Sequence, residues 1–191
     1  MRNTLTLILA ALAAAPFAHA GDQDCKVTEY THKGLFGEFI EVTNTGLTAV
    51  DVNGWKYDDN TRSFAAGTLL FSAATVLSPD DCFIITEVSE AVFIQAWYVD
   101  SGEGVPAGLV AIHENNFNNL GNVDEINIYE DSGILIDRVT LASIGLDTEG
   151  VSAILTNTGW KLAVAGVGNS WKAGAPLAPG PVGSPGVYPN E

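Results

Sequence analysis

The sequence predicts an all-β chain: an antiparallel β-sandwich with one short helix. Three observations carry that reading. Short stretches of alternating apolar and polar residues recur along the chain, the period-2 signature of half-buried strands. Turns containing Gly and Asn separate them. One segment alone carries helical spacing. With 191 residues, 47% of them hydrophobic, the chain suits one domain or at most two small ones. A single domain of this size buries about 70% of its unfolded surface, so its core needs no metal to hold it.

The strands follow in order. Val27-Thr28-Glu29-Tyr30-Thr31 is the first alternation, and Glu38-Phe39-Ile40-Glu41-Val42-Thr43 the second, closed by Asn44-Thr45-Gly46. Asn44 at that strand end can bond the following backbone and set the turn. Ala49 to Tyr57 contains Asn53-Gly54-Trp55; Gly54 lets the chain bend so that the Trp55 indole enters the core. Thr68 to Phe71 and Thr75 to Leu77 are short runs ended by Pro79-Asp80-Asp81. Cys82-Phe83-Ile84-Ile85-Thr86 is almost wholly apolar or β-branched, the pattern of a central strand buried on both faces. Glu125 to Tyr129 and Ile134 to Thr140 alternate on either side of Asp131-Ser132-Gly133 and read as a hairpin. Ser152 to Thr156 and Gly159 to Val164 complete the strands. Between them, Ser89 to Tyr98 places Val92, Phe93, Ala96 and Trp97 at helical spacing, with Ser89 as N-cap.

Composition excludes several partners. The chain carries 23 acidic against 8 basic side chains, a formal net charge of −15. Nucleic acid and anionic membrane surfaces both need clustered Lys and Arg, so neither is expected. Arg2, the apolar run Leu5 to Ala15 and the small residues of Ala18-His19-Ala20 read as a signal peptide over residues 1–20. That run is too short to span a bilayer, and no later segment is longer. Gly21 rather than Cys after the cut argues against a lipoprotein. The chain is therefore expected to be exported, to a periplasm or to the medium.

Two cysteines, Cys25 and Cys82, are an even count in an exported chain, and a disulfide between them is expected. In the chain-entropy model its loop is worth roughly 4 kcal/mol. A redox or metal pair is the alternative, but no C-x-x-C spacing occurs. Residues 173–191 hold five of the eight prolines and cannot form long ladders. They are expected to lie along the 21–172 domain as an extended strap.

The order of these pieces resembles the lamin-tail domain family, including its bacterial exported members. Gly37 to Asn44 looks like the family's second-strand signature, with Glu38, Glu41 and Asn44. Asp51-Val52-Asn53-Gly54-Trp55-Lys56-Tyr57 is similar to its D-L-S-G-W-x-L segment. Leu120 to Tyr129, with Asp124 and Glu125, and Ser132 to Val139, with Gly133, are similar to its L-x-N-x-G-D-E-I-x-L-Y hairpin. Gly183-Ser184-Pro185-Gly186, followed by Asn190, looks like its closing G-[ST]-P-G-x-x-N. The resemblance runs from about 27 to 190, with an insertion at Ala91 to Asn119. It implies an immunoglobulin-like β-sandwich used as a non-catalytic module, found alone or attached to secreted hydrolases, with no cofactor and no catalytic residues to carry over.

The residues themselves point the same way. Glu38 and Glu41 stand three apart on a strand and face opposite sides, so they do not form one acid–base pair. Asp58 and Asp59 sit in a turn and are weak calcium candidates, since hard cations take carboxylates from flexible loops, but no EF-hand spacing occurs. No P-loop, nucleophile elbow or H-E-x-x-H is present. Trp97, Tyr98 and Phe117 in the insertion are the binding-surface candidates, or alternatively part of a flap that covers the core. The expected function is thus an exported binding or interaction module for a protein or cell-surface ligand. A small secreted hydrolase or a calcium-dependent binder using loop carboxylates is the alternative.

Overall fold

A computed structural model describes residues 24–174 and 180–188. The expected signal segment, part of the strap and Asn190 lie outside the described residues. In chain order the elements are β1 (Cys25–Thr31), β2 (Phe39–Asn44), β3 (Val50–Asp51), β4 (Lys56–Asp58), β5 (Thr68–Leu69), β6 (Val76–Leu77) and β7 (Cys82–Thr86). There follow α1 (Glu90–Ile94), a π-helical turn (Gln95–Val99), β8 (Leu109–Glu114), β9 (Glu125–Tyr129), β10 (Leu135–Thr140) and the one-turn α2 (Leu141–Ile144). The last strands are β11 (Ala153–Thr156), β12 (Gly159–Leu162), β13 (Trp171–Lys172) and β14 (Val182–Gly183).

Two sheets form the sandwich. One has six strands in the order β12-β11-β1-β2-β7-β8, the other four in the order β10-β9-β4-β5. Their facing sides share one core: Val27, Tyr30, Ile40, Val42, Phe83 and Ile85 of the larger sheet meet Tyr57, Ile126, Ile128 and Val139 of the smaller. Trp55 enters this core as expected, with Gly54 at φ +78° making the bend. A Cβ on Gly54 would come within 2.7 Å of Asp131 Cβ. The β9–β10 hairpin also forms as expected, closed by Gly133 N–H donating to Glu130 O.

The larger sheet is covered on its second face as well. Phe39 and Ile84, whose neighbours in sequence point into the sandwich, pack outward against Phe93, Ala96, Trp97, Tyr98 and Ala173. The result is three layers, which explains why every residue of β2 and β7 is buried. The cover comes from the connection between β7 and β8. These strands run parallel, the one parallel ladder between named strands, and a parallel pair needs a crossover. β8, within the insertion, is the exception to the expected antiparallel pairing.

Ser89 caps α1, its Oγ accepting from Val92 N–H at 3.4 Å. Asp100 N–H then reaches back five residues to Gln95 O. The widened π turn admits one extra residue, so that Trp97 and Tyr98 both turn toward the sheet. Both are about 1% exposed. The reading of Trp97 and Tyr98 as a binding surface is therefore corrected: they belong to the second core, and the core-covering flap is what this part of the insertion forms.

The expected disulfide is also corrected. No disulfide joins Cys25 and Cys82. Cys25 lies opposite Asn44 of β2, and Cys82 lies opposite Thr43 from the other side. Adjacent residues of β2 point to opposite faces, so the two thiols do too. Two strand spacings, about 9.6 Å, separate their backbones, beyond the roughly 7 Å that a disulfide spans.

Two outcomes are expected. Unfolding the protein without reductant and titrating with a thiol reagent should count two thiols per chain; a count of zero would restore the bridge. Ser89→Ala should remove the α1 cap and destabilise by about 1 kcal/mol, lowering the melting temperature by roughly 2–4 °C, measured by thermal circular dichroism.

Candidate functional site

The outer face of the larger sheet carries an arrangement that the sequence did not announce. A bulge in β1 between Val27 and Glu29 shifts the register by one residue. Val27 and Tyr30 therefore both face the core, while Glu29 turns outward and lies directly opposite Glu41 of β2. Both carboxylates are fully buried. Among the described residues, no Lys, Arg or His forms a salt bridge with either.

Hydroxyls and backbone amides replace the missing cation. Glu41 accepts from Thr28 Oγ1 at 2.5 Å, from Thr43 Oγ1 at 3.2 Å and from Gly186 N–H at 2.5 Å. Glu29 accepts from Ser184 N–H and Ser184 Oγ, each at 2.8 Å, and from Ser152 Oγ. Burial pushes Glu29 up to about 8, and the facing Glu41 adds to the rise. Burial raises Glu41 as well, with Thr28, Gly186 and Thr43 opposing it. Cys82 and Tyr98 border the pair, and burial pushes both far above their ordinary values.

Residues 182–186 close this site. Ser152 N–H donates to Val182 O, and Val182 N–H to Gly150 O. Tyr98 OH donates to Pro185 O at 3.1 Å. Gly183 passes so close that a Cβ would stand 2.5 Å from Glu29 Oε1, 2.8 Å from Ser152 Oγ and 3.2 Å from Trp97 Cη2. Gly186, at φ +87°, turns its N–H onto Glu41. The Gly-Ser-Pro-Gly run has a physical role at each position: close approach, two donors, a turn with an accepting carbonyl, and a third donor.

The remaining motif residues do separate structural work. Glu38 and Glu41 do not converge, as expected: Glu38 Oε2 accepts from Leu120 N–H at 2.6 Å, while Glu41 meets Gly186. Burial pushes Glu38 up to about 8. Asn44 holds its turn through Gly46 N–H, Thr48 O and Leu77 O. Asp124 accepts from Gly121 N–H. Glu125 pairs with Arg62 through both carboxylate oxygens and accepts from Thr140 Oγ1; the Arg62 hydrogen bond holds its carboxyl below the ordinary range.

Of the calcium candidates, Asp58 is buried and committed to its turn, accepting from Thr61 Oγ1 at 2.5 Å and Arg62 N–H at 2.8 Å. Burial raises the neighbouring Asp59. Among the described residues no three His, Cys, Asp or Glu side chains converge within metal-ligand reach. No helix among them is long and apolar enough to cross a membrane.

The third surface candidate is at the surface. Phe117 is 91% exposed, yet its loop is fastened on both sides. Asn115 N–H donates to Thr86 O at 2.7 Å, and Asn115 Nδ2 to Asn118 O at 3.2 Å. Tyr57 OH donates to Asn118 O, Asn118 Nδ2 to Thr68 Oγ1, and Leu120 N–H to Glu38.

Gly183→Ala should place a methyl group against Glu29, Ser152 and Trp97. Overpacking of this kind destabilises by about 1–3 kcal/mol, and the melting temperature should fall by several degrees. An unchanged melting curve would show that the segment does not bear on the sheet in solution.

Compared with known families, residues 19–143 match the Lamin Tail Domain. No curated protein matches the chain. The match takes in the second-strand, Gly54-Trp55 and hairpin segments and stops short of residues 183–186, so the closing motif rests on its own geometry. The family is an immunoglobulin-like, non-catalytic domain family that serves as an interaction module. The chain belongs to the lamin tail domain family.

Proposed function

We propose that this protein is an exported, non-catalytic interaction module that engages a protein or cell-surface ligand through the loop carrying Phe117. The observation that carries the reading is the pinned, exposed aromatic ring. Binding energy at interfaces concentrates in a few rigid anchors, aromatic ones prominent among them, and a fixed loop loses little entropy when it docks. Asn115, Asn116, Asn118 and Asn119 surround the ring in sequence with uncharged hydrogen-bonding groups. The family supplies the precedent of a non-catalytic module.

Export rests on the sequence of residues 1–20 and places the protein in a periplasm or in the medium, consistent with a bacterial source. The acidic balance supports a partner other than nucleic acid. The hydrolytic and calcium-dependent alternative has less beneath it, because Asp58 is spent on its turn and Glu125 on Arg62.

Phe117→Ser changes an exposed side chain and should leave stability within about 0.5 kcal/mol of the parent. Photo-crosslinking in the exported fraction should then capture a specific protein or glycan with the parent and lose it with the variant. Equal capture by both would remove the loop from the function. Amino-terminal sequencing of the exported protein should begin at Gly21; an intact Met1 terminus would remove export.

A further inference from the structure

We propose that Glu29 and Glu41 hold one proton between them in the folded protein, and that this proton latches residues 182–186 onto the sheet. Loss of the proton to solvent releases the segment.

The geometry requires such sharing. The two glutamates are paired directly across β1 and β2 and fully buried, with no cation in salt-bridge reach among the described residues. Like charges so placed cannot both ionise without solvent. The other titratable groups at the site are Cys82 from β7 and Tyr98 from the π turn, both held neutral by burial. Ser152 and Ser184 bring only hydroxyls and an amide. A protonated carboxyl is easily placed here, since Thr28, Thr43, Ser152 and Ser184 hydroxyls can rotate from donating to accepting. The Thr28–Thr43 contact at 2.7 Å already allows either donor.

A second charge has one route of relief, which is water. Gly183 lies against Glu29 and Gly186 caps Glu41, so water reaches the pair only when this segment lifts. Its sheet anchoring is slight: β14 is two residues long, and the other backbone contacts come at Gly150, Ser152 and Ala173. The segment is therefore the part of the site that yields first.

The direction of the pH dependence follows. An unfolded chain releases both carboxyl protons near the ordinary 4.5, whereas the folded site keeps one up to about 8. Between those values the folded state binds more protons than the unfolded one. The stability contributed by the site is full below about 4.5, falls as pH rises and levels off above about 8.

Hydrogen exchange by NMR tests this on the full chain, with protection normalised to intrinsic exchange rates. The opening of the Ser184 and Gly186 amides should increase as pH rises from about 5 to 8, by up to about tenfold per pH unit, while β2 and β7 amides stay protected. Glu29→Gln and Glu41→Gln should each flatten the slope, and Glu38→Gln, at the separate Leu120 contact, should leave it. A flat parent profile, or a slope that survives both Gln variants, overturns the latch. Should the Gln variants fail to fold, carboxyl carbon shifts of the parent decide: one of the two carboxyls should remain protonated at pH 6, and two ionised carboxylates at that pH overturn it.

Discussion

Two carboxylates buried side by side without a cation are the constraint around which one whole face of this protein is arranged. An uncompensated charge in an interior costs several kcal/mol, and an unsatisfied carboxyl oxygen is little better. The chain meets that demand with short donors: Thr28 and Thr43 from the same two strands, Ser152 from just before the neighbouring strand β11, Ser184 and Gly186 from near the carboxy-terminal end. Each donor fixes a backbone position. The β1 bulge exists in register with this demand, since without it Glu29 would point into the sandwich among Ile40, Val42 and Tyr57.

The same face explains the third layer. A sheet with charged and hydroxyl groups along one part of its outer surface and Phe39 and Ile84 along another cannot be left open or covered by apolar groups alone. The β7–β8 crossover lays Phe93, Trp97 and Tyr98 over the apolar part, and the 182–186 segment lays its amides over the polar part. Tyr98 joins the two covers, with its ring in the aromatic layer and its hydroxyl on Pro185 O. Trp171 strengthens the join, its Nε1–H donating to Trp97 O at 2.8 Å. Sheet, crossover and closing segment thus share a boundary at which apolar and polar packing are both complete.

Most of the sandwich was legible in the sequence because it obeys period-2 alternation and turn chemistry: the β9–β10 hairpin, the Gly54–Trp55 bend, the Asn44 turn and the Ser89 cap all form where the residues place them. The errors share a cause, which is that local pattern does not say which face a residue joins. Trp97 and Tyr98 read as surface aromatics because the π turn that rotates both inward leaves no mark in helical spacing. Cys25 and Cys82 read as a pair because counting ignores strand parity. In a regular strand Glu29 would share the core face of Val27; the bulge turns it to the outer face, and only its pairing with Glu41 reveals this. The signal was present in weak form, as two glutamates within Val27–Thr31 and Phe39–Thr43, stretches otherwise made of β-branched and aromatic residues.

The division between buried and exposed features also bears on recognition. All four tryptophans sit in or against the two cores, Trp160 packing beside Tyr30 with 5.1 Å between ring centroids. Large rings are thus spent on cohesion almost everywhere. Phe117 departs from that use, and it does so on a loop whose backbone is held by Thr86, Tyr57 and Glu38 and whose Asn118 side chain is held by Thr68, residues of three different strands and one strand entry. A loop that merely tolerated an exposed ring would not need so many anchors. Because those anchors reach both sheets, the Phe117 ring stands on a loop that shares the rigidity of the whole sandwich.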